Sequence, residues 1–340
     1  MFAVYVHNLD PVALPLFGNL ALRWYGLAYL FGFLGGFLLL RHLARKGLWV
    51  LKPEQTGDFI AAAALFGVFL GGRLGYILFY HLPKHGFGSL ASDPLLTFRV
   101  WEGGMASHGG ILGLVIFTWF YAKKHKVSWT GLGDGLCVVA PIGLFFGRAA
   151  NFINGELYGR LAEGVSWAVK FPLALMDPKA PESGSFEAAA AAAVTVEPKL
   201  MAPYQAMQDA APQAYAHAQQ KFFDALLEAN RHSDKVSEAI SPYLQPRHPS
   251  QVYEGLLEGL LLFSILWIIR VCFPKAPNGL LTGLFFGLYA TFRIFAEQFR
   301  EPDAAWVVEN LITQGQFLSF FMYLFSAAFI IFAWRQKARA

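Results

Sequence analysis

Seven runs of about 20 mostly apolar residues recur along this chain of 340, and few environments accept such runs. A helix of about 20 residues spans the roughly 30 Å of a bilayer's hydrocarbon core. The runs are 20–40, 58–80, 106–121, 134–152, 252–269, 279–298 and 316–334, the third being the shortest. With 56% hydrophobic and only 15% charged residues, the chain is too apolar for a soluble globular protein. The expected fold is all-α, a polytopic membrane bundle of seven transmembrane helices.

The formal charge of +4 could point to nucleic acid, but its distribution argues against that partner. Lysines and arginines concentrate in 41–52, in Lys123, Lys124 and Lys126, at Arg270 and Lys275, and at Arg335, Lys337 and Arg339. These are alternate loops. The other short loops hold Lys84, Arg99 and Arg300, and no lysine or arginine precedes residue 20. The positive-inside rule then predicts a periplasmic N-terminus and a cytoplasmic C-terminus. The first residues lack the basic flank and cleavage site of a signal peptide, so insertion is expected to rest on the spans. Cys137 and Cys272 fall near cytoplasmic span ends, where disulfides are not expected, and read as packing residues.

The spans divide the chain into membrane segments 1–154 and 250–340 around a periplasmic head, 155–249, in which charge, proline and alanine content rise. The alanine run 188–193 reads as a linker or frayed helix. Between 204 and 240, Phe222, Phe223, Leu226 and Leu227 form one apolar face. That amphipathic helix is expected to pack on the head rather than on the leaflet or a partner. No internal repeat of the transporter type is visible. Glycines within spans, among them Gly67, Gly71, Gly72 and Gly75, predict close helix packing; beside His108, Gly109 and Gly110 could equally expose backbone to a ligand.

Against this apolar background the polar residues stand out. A charged side chain in hydrocarbon costs about 2.5–3.5 kcal/mol on insertion scales, so it is expected to face the bundle interior and a partner. Under the predicted topology these residues gather toward the outer ends of the spans. Arg23 and Tyr25 open the first, and Arg73 lies roughly 10 Å deep in the second. His108 opens the third. Arg148 and Asn151 close the fourth on one helix face, followed by Asn154 and Glu156; Tyr253 and Glu254 open the fifth, and Arg293 and Glu297 lie one turn apart in the sixth. Guanidinium binds phosphate through paired, charge-assisted hydrogen bonds, so a one-sided arginine cluster at head-group depth suits a phospholipid. The competing expectation is that some of these arginines, Arg23 and Arg73 above all, form internal ion pairs. His108 supplies a group able to take a proton near neutral pH. No histidine, cysteine or carboxylate spacing points to a metal. A lipid or anion transporter would need polar residues continuing inward, and these are scarce.

The polar residues sit in recognisable blocks: Arg23-Trp24-Tyr25-Gly26, Gly71-Gly72-Arg73-Leu74-Gly75-Tyr76, Ser107-His108-Gly109-Gly110, the run 147–159, His248-Pro249-Ser250-Gln251-Val252-Tyr253-Glu254, and 293–303. Together they resemble the bacterial prolipoprotein diacylglyceryl transferase family. The resemblance implies a multi-pass enzyme of the bacterial inner membrane, needing no cofactor and facing the periplasmic leaflet. It would move the diacylglyceryl group of phosphatidylglycerol onto the lipobox cysteine thiol of a prolipoprotein signal peptide, forming a thioether and releasing glycerol phosphate. It assigns His108, Arg148 and Arg293 as catalytic. Tyr25, Arg73, Asn151, Asn154, Glu156, Gly159, Tyr253, Glu254 and Glu297 are expected to bind substrate. Residue matching fails between about 165 and 245, so no site residue is assigned there.

Overall fold

In the computed structural model, residues 4–16, 21–99, 103–301 and 313–337 are described. Their regular secondary structure is helical apart from two short two-stranded sheets. Each apolar run contains a helix: α1 Trp24–Arg45, α2 Gln55–Leu90, α3 Ser107–His125 and α4 Trp129–Asn154, then, beyond four helices of the intervening segment, α9 Ser250–Cys272, α10 Leu280–Ala296 and α11 Gln314–Lys337. Five of them, α1, α2, α4, α9 and α11, are long and apolar enough to cross a membrane; α10 is apolar but shorter.

Helix ends differ from the runs where local chemistry intervenes. Residues 21–23, placed in the first span by hydropathy, form strand β3 instead, pairing antiparallel with β2 (Val12–Pro15). Helix α2 outruns its apolar stretch and breaks only where Gly86 takes φ +71°. Wider, π-type turns occur in α2 at Ala63–Phe69 and Ile77–His81 and in α9 at Gly255–Leu261, a distortion that often marks functional segments.

The contacts divide the chain into two compact units. One comprises Phe31–Gly143, Leu261–Tyr289 and Phe321–Ala340. Within it α2 and α3 meet through glycines: a Cβ on Gly71 would lie 2.8 Å from the Gly113 Cα, and one on Gly109 would lie 2.7 Å from the Gly75 Cα. Lipid gives little hydrophobic drive for helix association, so close backbone packing through small residues supplies it.

The other unit comprises Met1–Leu30, Leu144–Leu260 and Ala290–Phe320. It contains the four helices of the intervening segment: α5 Phe186–Val196, α6 Met201–Gln208, α7 Pro212–His232 and α8 Asp234–Ile240. The alanine run is neither linker nor frayed end. Ala189, Ala190 and Ala193 are fully buried in α5, in one core with Phe222, Phe223 and Leu226 of α7 and Val236 and Ile240 of α8. Methyl side chains leave room for those rings, and each buried Phe or Leu contributes about 1.5–3 kcal/mol. The N-terminal tail joins this unit. Strand β1 (Tyr5–Val6) pairs in parallel with β4 (Val169–Lys170), and the His7 ring packs between Phe152 and Phe171. His7 Nε2 donates to the Phe152 carbonyl at 2.7 Å.

Candidate active site

The site begins with the way α4 ends. Asn154 is followed by Gly155 at φ +71°, and two bonds close the helix: Gly155 N to Phe152 O at 2.9 Å and Glu156 N to Asn151 O at 3.1 Å. Such a glycine-terminated stop satisfies carbonyls that the helix leaves free, and it folds Glu156 back over Asn151. The Asn151 amide donates to Glu156 Oε1 at 2.7 Å, and Tyr25 Oη lies against both side chains, donating to Glu156 and accepting from Asn151. The following residue, Leu157, is held at φ +54°, unfavourable for a bulky side chain. Its carbonyl accepts from Ser250 Oγ at 3.1 Å, and the Glu156 carbonyl accepts from Gln251 Nε2 at 2.5 Å. The start of α9 thus fixes the strained turn.

One turn inward, small residues bring α4 and α9 together. A Cβ on Gly259 would lie 2.7 Å from Phe145 Cβ, and one on Gly255 would lie 3.4 Å from Arg148 Cβ. Arg148 therefore reaches two fully buried carboxylates of α9, with its Nε 3.1 Å from Glu254 Oε2 and its Nη2 3.7 Å from Glu258 Oε2. Arg293 of α10 arrives from another direction. Its Nη1 binds Glu254 Oε1 and lies 3.7 Å from Glu258 Oε1, while Nη2 is 2.9 Å from Glu297 Oε2. Arg300 closes the ring, with Nη1 at 2.7 and 3.0 Å from the two Glu254 oxygens. Glu254 is thus a hub for three arginines. Gly315 lines the same place: a Cβ there would meet Glu297 Oε2 at 2.9 Å and Arg293 Nη2 at 3.2 Å.

Three guanidinium and three carboxylate groups meet here, so the formal charges balance and the group can be held away from water. The balance leaves capacity unused. Glu254 engages Arg148 through Nε alone, and the arginine side chains stay 18% (Arg148) and 15% (Arg293) exposed. Neither Glu258 oxygen has a hydrogen-bond partner, since 3.7 Å is ion-pair range but too long for a hydrogen bond. Free guanidinium edges beside an unsatisfied carboxylate can receive a ligand carrying both phosphate and hydroxyl groups.

The remaining expected site residues sit elsewhere. Tyr253 Oη accepts from Trp167 Nε1 at 2.7 Å and lies 3.2 Å from His248 Nδ1. Asn154 lines a small cleft with His7, Gly155 and Asn230. Gly159 contributes backbone: its N donates to His248 O at 2.9 Å, and a Cβ would lie 2.6 Å from that oxygen. Arg73 and His108 belong to the other compact unit. Arg73 is 4% exposed and binds backbone carbonyls, with Nε at 3.1 Å from Thr97, Nη1 at 2.6 and 2.9 Å from Gly103 and Gly104, and Nη2 on Leu96. It ties down the segment leading to His108, whose side chain is exposed at the start of α3.

Four participants lie outside the residues expected from the sequence. Arg300, counted there as a loop charge, is 4% exposed in the Glu254 cluster. Glu258 was detectable as the second carboxylate of an i, i+4 pair in an apolar run. Arg247 and Glu182 form a buried pair, Nε to Oε1 at 2.8 Å and Nη2 to Oε2 at 2.7 Å, with Arg247 Nη1 3.2 Å from Gly159 O. Neither lies in an apolar run, so hydropathy carries no trace of them.

Comparison with known sequences decides the lineage. Residues 11–332 match the family described as prolipoprotein diacylglyceryl transferase. The chain belongs to that family. Among its relatives, the phosphatidylglycerol–prolipoprotein diacylglyceryl transferase of Bdellovibrio bacteriovorus is 36% identical, covering 98% of this chain and 95% of its own length. Those so named from Azospirillum brasilense and Neisseria gonorrhoeae strain NCCP11945 are each also 36% identical, covering 99% and 92% of this chain and the same shares of their own lengths.

Proposed function

We propose that this protein transfers the diacylglyceryl group of phosphatidylglycerol to the cysteine thiol of a prolipoprotein lipobox. Family membership supports the reaction, and the convergence of Arg148, Arg293 and Arg300 on Glu254 carries the assignment of the site. The substrate cysteine is the nucleophile. A thiol with pKa near 8.5 reacts as thiolate, and His108, exposed at the start of α3, is assigned as the base that takes its proton. The thiolate sulfur forms a bond to the glyceryl carbon as the carbon–oxygen bond to phosphate breaks. The electron pair leaves with glycerol phosphate. Charge grows on that oxygen in the transition state, where preoriented guanidinium donors contribute most; Arg148 and Arg293 fill this role. Glu254, Glu297 and Arg300 hold those arginines, and Tyr25, Asn151 and Glu156 orient the head group.

The membrane arrangement belongs to the same proposal. Seven spans cross the inner membrane, with the N-terminus and residues 155–249 in the periplasm and the C-terminus in the cytoplasm. The alternation of basic loops and the apolar helices α1, α2, α4, α9 and α11 support it. Purified protein incubated with phosphatidylglycerol and a lipobox peptide should raise the peptide mass by one diacylglyceryl group. No gain, beside a competent positive control, overturns the proposal. The His108→Ala variant should still bind lipid but lose turnover; undiminished turnover would remove His108 from the chemistry.

A further inference from the structure

The charge pattern makes Arg270 a basic flank of the fifth apolar run, but the fold buries it. Arg270, near the end of α9, is 7% exposed. Its Nη2 donates to the Pro274 carbonyl at 2.5 Å, and its Nε is buried without an acceptor. No carboxylate among the described residues lies within 4 Å of its guanidinium nitrogens. Asp134 attracts the guanidinium only from beyond ion-pair distance, so no anion neutralises this buried cation by direct contact, and its other surroundings decide what it is for.

Arg270 lines a cavity of about 180 Å³ with Trp49, Val50, Gly131, Asp134 and Asn278, all in one compact unit. Single water needs roughly 15 Å³ of such volume, so there is space for a polyatomic ligand. The wall is rich in unused donors. Trp49 Nε1, packed against Gly135, is buried without an acceptor, and the Asn278 amide makes no hydrogen bond among the described residues. Asp134 is already committed to the start of α10: its oxygens accept from Gly279 N, Thr282 N and Thr282 Oγ1, each at 2.8 Å.

We propose that this cavity binds a phosphate group, with Arg270 as its anchoring cation. The site uses none of the residues assigned to diacylglyceryl transfer. A tetrahedral oxyanion matches a planar guanidinium and supplies several acceptors at once. The phosphate comes either from a lipid head group or from a soluble compound.

Hydrogen–deuterium exchange over 47–50 and 274–278 tests this on the full chain in nanodiscs. In one arm, discs of digalactosyldiacylglycerol, a lipid without phosphate, are titrated with inorganic phosphate against chloride of equal ionic strength; in the other, phosphatidylglycerol discs are compared with digalactosyldiacylglycerol discs without free phosphate. Protection in the first arm identifies soluble phosphate, and protection in the second identifies lipid phosphate. Arg270→Gln should weaken that protection at least tenfold. Should Arg270→Gln not fold, Arg270→Lys, which keeps the charge but loses the planar fork, should still weaken it several-fold. No protection in either arm, or equal protection in wild type and folded variants, overturns the proposal.

Discussion

Arg148 and Arg293, on different helices, grip opposite oxygens of Glu254: Arg148 Nε lies 3.1 Å from Oε2, and Arg293 Nη1 binds Oε1. One buried carboxylate therefore sets the spacing of two cations that would otherwise repel each other. That spacing is what a phosphate ester would meet, and it makes the arginines sensitive to geometry as well as to charge.

Arg293→Lys preserves the charge but cannot reach Glu254 and Glu297 together, as Nη1 and Nη2 now do. Turnover should fall by about 10²–10³-fold, the usual loss for a donor aimed at developing charge, with far less change in the thermal midpoint. Steady-state rates on a lipobox peptide check this, and a loss under threefold would show that the fork is dispensable.

Tyr25→Phe removes the hydroxyl shared by Asn151 and Glu156 but leaves their own 2.7 Å bond. A lost hydrogen bond to a charged group is worth about 1.5–3 kcal/mol, so kcat/KM should fall roughly 10–100-fold while the fold persists. Rates at subsaturating phosphatidylglycerol give the answer.

Glu182→Gln leaves the Arg247 guanidinium, 2% exposed, without its bidentate partner. Breaking one side of a buried pair costs about 3–5 kcal/mol, and Arg247 also binds Gly159 O. The variant should melt several degrees lower, whereas disrupting the part-exposed Arg99–Asp93 pair should cost under about 1 kcal/mol. Thermal unfolding of the two variants in one detergent separates them; equal shifts would contradict the assignment.

His7 makes the N-terminal tail pH-sensitive. Burial between Phe152 and Phe171 outweighs the bond to the Phe152 carbonyl and pushes its pKa down to about 4. The unfolded chain takes up a proton near pH 6.5 while the folded chain does not. Stability from this residue is therefore complete above pH 6.5 and falls as pH drops toward 4, by up to about 3 kcal/mol. Hydrogen exchange at Tyr5–Val6 and Val169–Lys170 should quicken between pH 6.5 and 4.5, relative to intrinsic rates, and His7→Gln should flatten that response.

Much of the fold was legible because helices encode it locally. Apolar runs located the membrane-type helices, although α4 runs two residues past its apolar run, to Asn154. The one-turn spacing of Arg293 and Glu297 was visible in the sequence, and their pairing at 2.9 Å follows that spacing although internal pairs were expected above all of Arg23 and Arg73. Composition misled at the alanine run, because tolerance for close packing and lack of structure look alike in a string of alanines. Arg300 and Arg270 show a related limit: a cation just beyond an apolar run looks like a solvated loop charge, yet both are buried.

The amino-acid sequence by itself determined which segments become apolar helices and which residue types stand at their ends, since periodicity and propensity act over a few neighbouring residues. Only the tertiary structure decided that Glu254 gathers Arg148, Arg293 and Arg300, that Arg73 binds backbone carbonyls, and that Glu182 meets Arg247. Those outcomes depend on which distant side chains share one buried volume, where each charge must find a partner, and no local pattern records that choice.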